Sequence, residues 1–129
     1  MSSSVSRPRR VLVVDDNVDG LRIVTIMLRS WGHIVETCHE SDLAVTVALN
    51  FLPEIVMLDL GMPRVSGLEV AKMMKNTPGL ENVRLIAVTG YGQTEDFKQT
   101  RQAGFEHHLV KPIDFEVLRH VLATPAIPK

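Results

Sequence analysis

Short apolar runs that end in polar residues constrain this chain more than any other feature. Residues 11–14 (VLVV) run into Asp15-Asp16-Asn17, 55–58 (IVML) into Asp59, 85–88 (LIAV) into Thr89-Gly90, and 108–110 into Lys111-Pro112. Residues 34–38 (IVETC) form a further run that ends without an evident chemical group. Short runs of this kind read as strands buried on both faces. Helical spacing fills the gaps. Leu21, Val24, Leu28 and Trp31 precede a stop at Gly32. Ala44, Val47, Ala48 and Phe51 follow a candidate cap at Ser41 and end before Pro53. Leu68, Ala71 and Met74 lead to the breaker Asn76-Thr77-Pro78-Gly79. Residues 94–103 are weakly amphipathic before Gly104, and Leu118, Val121 and Leu122 follow the candidate cap Asp114. Strand and helix alternate five times, which predicts parallel βαβ units with helices on both sheet faces, a three-layer α/β/α arrangement.

Composition restricts the alternatives. A chain of 129 residues fits one domain with a real core. The formal charge of −1 advertises no nucleic acid or anionic membrane as partner. The single cysteine, Cys38, rules out an internal disulfide and fits a reducing compartment, so a cytoplasmic location is expected. No secretory signal or apolar stretch long enough to span a bilayer is present in the sequence. The polar, serine-rich residues 1–8 read as a disordered arm, 9–123 as the domain, and 124–129 as a short tail.

In a parallel sheet every strand points its carboxyl end the same way, toward the crevice where ligands bind. Asp15, Asp16, Asp59, Thr89 and Lys111 therefore converge. Three carboxylates in one crevice repel one another unless a cation joins them. Mg²⁺ takes oxygen ligands and is commonly held by one or two carboxylates plus a phosphate oxygen. Thr89 offers a hydroxyl and Lys111 a mobile charge for a phosphoryl group, and a carboxylate can serve as the nucleophile. Taken singly, each group has a plainer reading: helix-capping acids, a turn aspartate, a strand-end threonine, a solvated lysine. Chance placement at four strand ends of one sheet edge is the weaker account.

At these residues the sequence resembles the receiver domains of two-component response regulators, from about Arg10 to Leu122. The resemblance rests on VLVVDDN, IVMLDLGMPRVSG, LIAVTGYG and HHLVKPID. It implies a flavodoxin-like doubly wound sheet of five parallel strands, order 2-1-3-4-5, with five helices. Asp59 would be the phosphoacceptor. Asp16, Asp59 and the backbone carbonyl of Gly61 would bind Mg²⁺, with Asp15 acting through water. Thr89 and Lys111 would contact the phosphoryl oxygens, and Pro112 would follow a cis peptide bond. The donor would be a histidine kinase or histidine phosphotransfer protein. The output would be a protein target bound through the last helices and fifth strand, with no nucleic acid and no membrane, and the chain a monomer or weak dimer. Such a domain catalyses only its own phosphorylation and dephosphorylation.

The sequence departs from the family pattern at one position. Many receivers carry an aromatic residue three before the lysine, where His108 stands here. The usual aromatic coupling is therefore in question, while Gly90 and Tyr91, in the following loop, are candidates for tuning the site. His107 and His108, being adjacent on a strand, point to opposite faces and make no metal pair. No DNA-binding segment follows the last helix, so a stand-alone regulator, a relay intermediate or a portion of a hybrid kinase are the expectations. The rival readings are an aspartyl-phosphate phosphatase, a flavodoxin-like cofactor binder, and a phosphate-independent interaction module. A phosphatase of the haloacid dehalogenase type would space its two aspartates differently and usually carry a cap. A cofactor binder would want a phosphate-cradling loop where Asp15 and Asp16 stand. The intact set of acidic pair, aspartate, threonine and lysine weighs against the interaction module.

Overall fold

The computed structural model describes residues 7–90 and 97–125. Strands β1 (Arg10–Val14), β2 (Ile34–Cys38), β3 (Ile55–Asp59), β4 (Arg84–Thr89) and β5 (Phe105–Val110) alternate with helices α1 (Val18–Ser30), α2 (Ala44–Phe51), α3 (Gly67–Lys75), α4 (Phe97–Gln102) and α5 (Phe115–Ala123). All paired strands are parallel, in the order β2-β1-β3-β4-β5. The expected doubly wound architecture is the one observed.

Alternation along the strands builds two cores. Val11, Val13, Ile55, Met57, Ile86 and Val88 pack against α1 and α5 through Leu21, Leu28 and Leu118. Leu12, Val14, Val56, Leu58, Leu85 and Ala87 face the opposite layer, among Ala44, Ala48, Val70 and Met74. Every residue of β3 and β4 is buried, as expected for central strands covered on both faces. Trp31, at the end of α1, meets Phe115 of α5 edge to face, with ring centroids 6.5 Å apart.

Two buried arginines tie down the amino edge of the sheet. Arg9 Nε donates to the Leu122 carbonyl at 3.1 Å, and an Arg84 guanidinium nitrogen donates to that of Thr124 at 3.1 Å. Their charges are met by Glu54 and Glu106 respectively. One terminal carbonyl of α5, that of Leu122, and the carbonyl of its C-cap, Thr124, are thereby satisfied. This holds α5, and with it the preceding loop, against the sheet.

Three local expectations change. The last strand begins at Phe105, not His108, because β5 already pairs with β4 at Phe105, opposite Leu85. Its opening residues hide the strand signal: the register slips between Leu85 and Ile86, and Glu106 reaches Arg84 at 3.1 Å. Ser41 is not a helix cap. It opens a 3-10 turn, Ser41–Leu43, whose N-cap, Glu40, makes no side-chain cap, and α2 starts only at Ala44. The helix expected over 94–103 is described from Phe97 onward; its first part lies outside the described residues.

Candidate functional site

The carboxyl ends of β1, β3, β4 and β5 meet at one rim of the sheet. β1 delivers Asp15, whose backbone N–H is bonded to the Cys38 carbonyl at 3.1 Å. Asn17, not either aspartate, caps α1: its side chain accepts the N–H of Gly20 at 3.1 Å. The acidic pair is thus left free of capping duty. Asp15 instead accepts the N–H of Asn17 through Oδ1 at 2.9 Å and faces Lys111 through Oδ2.

Asp59 closes β3 and is 7% exposed. Its Oδ1 accepts the N–H of Gly61 at 2.9 Å, and its Oδ2 lies 3.2 Å from Lys111 Nζ. The same ammonium stands 2.8 Å from Asp15 Oδ2, so one lysine spans two carboxylates. Asp15, Asp16 and Asp59 each present an oxygen within 4.8 Å of the others. Asp16 is exposed and its two partners are buried.

The electrostatics follow from this placement. Burial pushes the Asp15 carboxyl above its usual range and the nearby Asp59 adds to that, against the lowering effect of its bonds to Lys111 and the Asn17 N–H. Burial by itself would depress the Lys111 ammonium. Its bonds and attraction to Asp15 and Asp59 outweigh that and raise it. One ammonium against three carboxylates leaves the rim short of positive charge. The donor set is all oxygen and compact, which fits a hard divalent cation such as Mg²⁺.

Thr89, buried at the end of β4, places its hydroxyl 3.1 Å from His108 Nε2. The histidine ring is therefore turned inward toward the sheet's rim. It lies beside Ala87, whereas His107 lies beside Ile86 on the other face. Gly90 is half-buried next to Thr89, and Tyr91 lies outside the described residues. The Lys111–Pro112 peptide bond is cis.

The segment after Asp59 is tied at several points. Gly67 opens α3 against the end of β3: a Cβ there would sit 2.5 Å from the Asp59 carbonyl oxygen and 2.8 Å from Leu60 Cα. Ser66 caps the helix, its hydroxyl accepting the Glu69 N–H at 3.2 Å in a reciprocal capping box. Ser41 reaches this segment from the β2–α2 connection, donating to the Pro63 carbonyl at 2.9 Å and accepting the Val65 N–H at 3.2 Å. Sequence reasoning missed that role, since nothing local marks a serine as tertiary.

A rim of three carboxylates and a lysine at the carboxyl ends of a 2-1-3-4-5 parallel sheet defines an acidic, cation-compatible domain of the flavodoxin-like type. Residues 11–123 match the family model described as "Response regulator receiver domain", and the chain belongs to that family. It is 30% identical over 106 residues to the polar-differentiation response regulator DivK of Brucella anthropi, covering 82% of this chain and 86% of that one. It is 38% identical over 109 residues to stress response regulator protein 1 of Meyerozyma guilliermondii, covering 82% of this chain and 50% of that one. Among solved structures, a putative response regulator from Chloroflexus aurantiacus superimposes with a TM-score of 0.82 at 22% identity, over 90% of this chain and 95% of that one. The receiver domain of the sensor histidine kinase PA1611 from Pseudomonas aeruginosa has a TM-score of 0.79 at 25% identity, with coverage of 90% and 95%. That structure has a magnesium ion coordinated in its active-site cleft.

Proposed function

We propose that this receiver takes a phosphoryl group from a phosphohistidine on a histidine kinase or histidine phosphotransfer protein onto Asp59, and that this changes a protein-binding surface. The observation that carries the reading is the setting of Asp59: a buried carboxylate held by the Gly61 N–H and Lys111, with two further carboxylates within 4.8 Å. Family membership and the magnesium-bound PA1611 receiver support it.

In this reading an Asp59 carboxylate oxygen attacks phosphorus, the P–N bond to the donor imidazole breaks, and the imidazole leaves with the electron pair. Asp16, Asp59 and the Gly61 carbonyl would hold Mg²⁺, with Asp15 acting through water. When bound, the ion supplies positive charge that offsets the charge on the phosphoryl oxygens. Lys111 turns from its two carboxylates toward the new phosphoryl group, and the Thr89 hydroxyl donates to it. A hydroxyl has only one proton. Once Thr89 gives that proton to the phosphoryl group, its contact with His108 persists only if Nε2 carries the ring proton. His108 therefore registers the change where an aromatic hydrocarbon could not. The surface formed by β5 and the last helices then carries the change to a protein target. Tyr91, following Thr89 and Gly90, would tune the lifetime of the acyl phosphate.

The test is direct. The protein is incubated with Mg²⁺ and a phosphorylated histidine phosphotransfer protein, and separately with acetyl phosphate, and its intact mass is measured. The expected result is a gain of one phosphoryl group, abolished by Asp59→Asn and by chelator. No gain from either donor, together with no binding of Mg²⁺, would replace this reading with a phosphate-independent interaction module.

A further inference from the structure

Arg64 has a backbone φ of +69°, in the left-handed region that side chains other than glycine seldom adopt. Such a residue persists only where its surroundings over-determine it. Here the constraint is visible. The Ser41 hydroxyl, on a residue only 5% exposed, bonds the carbonyl just before Arg64 and the N–H just after it. One side chain from the β2–α2 connection thus bridges both flanks of the unusual residue. The Arg64 guanidinium adds a contact of 3.3 Å to Asp42, exposed on both sides and worth little. Upstream, Met62 is buried in the core, and Gly61 is fixed by its N–H to Asp59. The turn therefore sets the path of the strand-to-helix connection from Gly61 to Ser66. Asp16, Ser41, Pro63 and Arg64 also line one cavity of about 170 Å³, so the tie stands beside the acidic rim.

We infer that Ser41 is a positioning residue for the cation at this rim. By holding the Pro63–Val65 turn it fixes the Gly61 backbone carbonyl that would share the ion with Asp16 and Asp59. The inference rests on the proposed reading of the rim as a Mg²⁺ site. The chemistry is that of an outer-shell support. A carbonyl on a wandering loop must be ordered when the ion binds, whereas one held in advance need not be.

The experiment measures Mg²⁺ affinity by calorimetry and the initial rate of phosphorylation by acetyl phosphate across a Mg²⁺ series. The variants are Ser41→Ala, Ser41→Thr, Arg64→Gly and Ser41→Ala/Arg64→Gly, with urea midpoints to monitor folding. Ser41→Ala is expected to weaken Mg²⁺ binding about tenfold, the lower end for loss of an outer-shell partner. The phosphorylation rate at saturating Mg²⁺ should stay near that of the parent. Ser41→Thr keeps a hydroxyl and should restore affinity. Glycine accepts positive φ, so Arg64→Gly in the Ser41→Ala background should recover part of the loss. An unchanged Mg²⁺ affinity in a folded Ser41→Ala protein would overturn the inference while leaving the site reading intact. So would a fall in the saturated rate with no change in affinity. Failure of the parent protein to bind Mg²⁺ would overturn both.

Discussion

Asp59→Asn should stabilise this protein in the absence of divalent ions and cost it stability in their presence. Asp59 lies within 4.8 Å of two other carboxylates and 3.2 Å from one ammonium. At an effective dielectric constant of about 20, each like-charge pair at that separation costs about 3.5 kcal/mol, and the Lys111 pair returns about 5 kcal/mol. Neutralising Asp59 removes both repulsions and the one attraction, a gain of about 2 kcal/mol. A carboxamide that keeps its oxygen on the Gly61 N–H turns its NH₂ toward the Lys111 ammonium, and two donors left facing each other take back about 1 kcal/mol. The variant should therefore lead by about 1 kcal/mol in chelator.

Mg²⁺ inverts the order. An ion bound only by the folded parent at a hundred times its dissociation constant adds about 2.7 kcal/mol to that protein. A variant lacking the central carboxylate gains little. Urea titrations of both proteins, in chelator and in excess Mg²⁺, give the comparison, and equal slopes secure it. If Asp59→Asn instead lowered stability in chelator by about 1 kcal/mol or more, the claim that the carboxylates repel one another would be refuted. Equal stabilisation of both proteins by Mg²⁺ would refute the placement of the ion at Asp59.

Two other perturbations bear on the structure, one beside this rim and one at the opposite, amino edge of the sheet. Gly67→Ala puts a methyl carbon 2.5 Å from the Asp59 carbonyl oxygen, and backbone must give way. We expect a loss of about 1–3 kcal/mol in urea unfolding, accompanied by slower phosphorylation of Asp59. His33, 6% exposed, accepts the Arg9 N–H through Nδ1 at 3.0 Å. Burial, and then the Arg9 charge, hold it below its ordinary value of 6.5. The unfolded chain therefore binds more protons between the folded and ordinary values, so stability rises with pH there and falls on acidification below about 6.5. Burial lowers His107 as well, with the same sign. Urea midpoints between about pH 7.5 and 5.5 should decline, and His33→Gln should flatten part of that decline. A flat parent profile would contradict the assignment.

The sequence exposed the strand ends because each closes an apolar run with a polar residue, a one-dimensional signal that needs no tertiary knowledge. Asp15, Asp59, Thr89 and Lys111 were legible for that reason. What separates Asp15 and Asp16 from capping residues was not, because the choice of Asn17 as the cap depends on the backbone angle at which α1 leaves β1. The start of β5 was hidden because Phe105-Glu106-His107 breaks the apolar run. In the sheet Glu106 is met by Arg84 from the neighbouring strand. Ser41 looked like a cap because serine before a helical stretch commonly is one. Its true partners lie more than twenty positions further along the chain, and no local rule points to them. Arg64 carries no signal at all, since arginine has no preference for positive φ.

The hidden contacts and the legible groups do different physical work. The legible groups are charges, and left to themselves three carboxylates would spread apart into water. The contacts that keep Asp59 in place are mostly neutral and mostly backbone: its ladder position in β3, the Gly61 N–H on Oδ1, the close pass of Gly67 and the Ser66–Glu69 capping box. Such interactions are insensitive to salt and to the arrival of a cation, unlike the Lys111 pairs. Repulsion at the rim is consequently borne by a rigid strand-to-helix connection, and the freedom to respond is left to Lys111 and to the exposed Asp16. A site organised this way can change its charge without repacking the core beneath it.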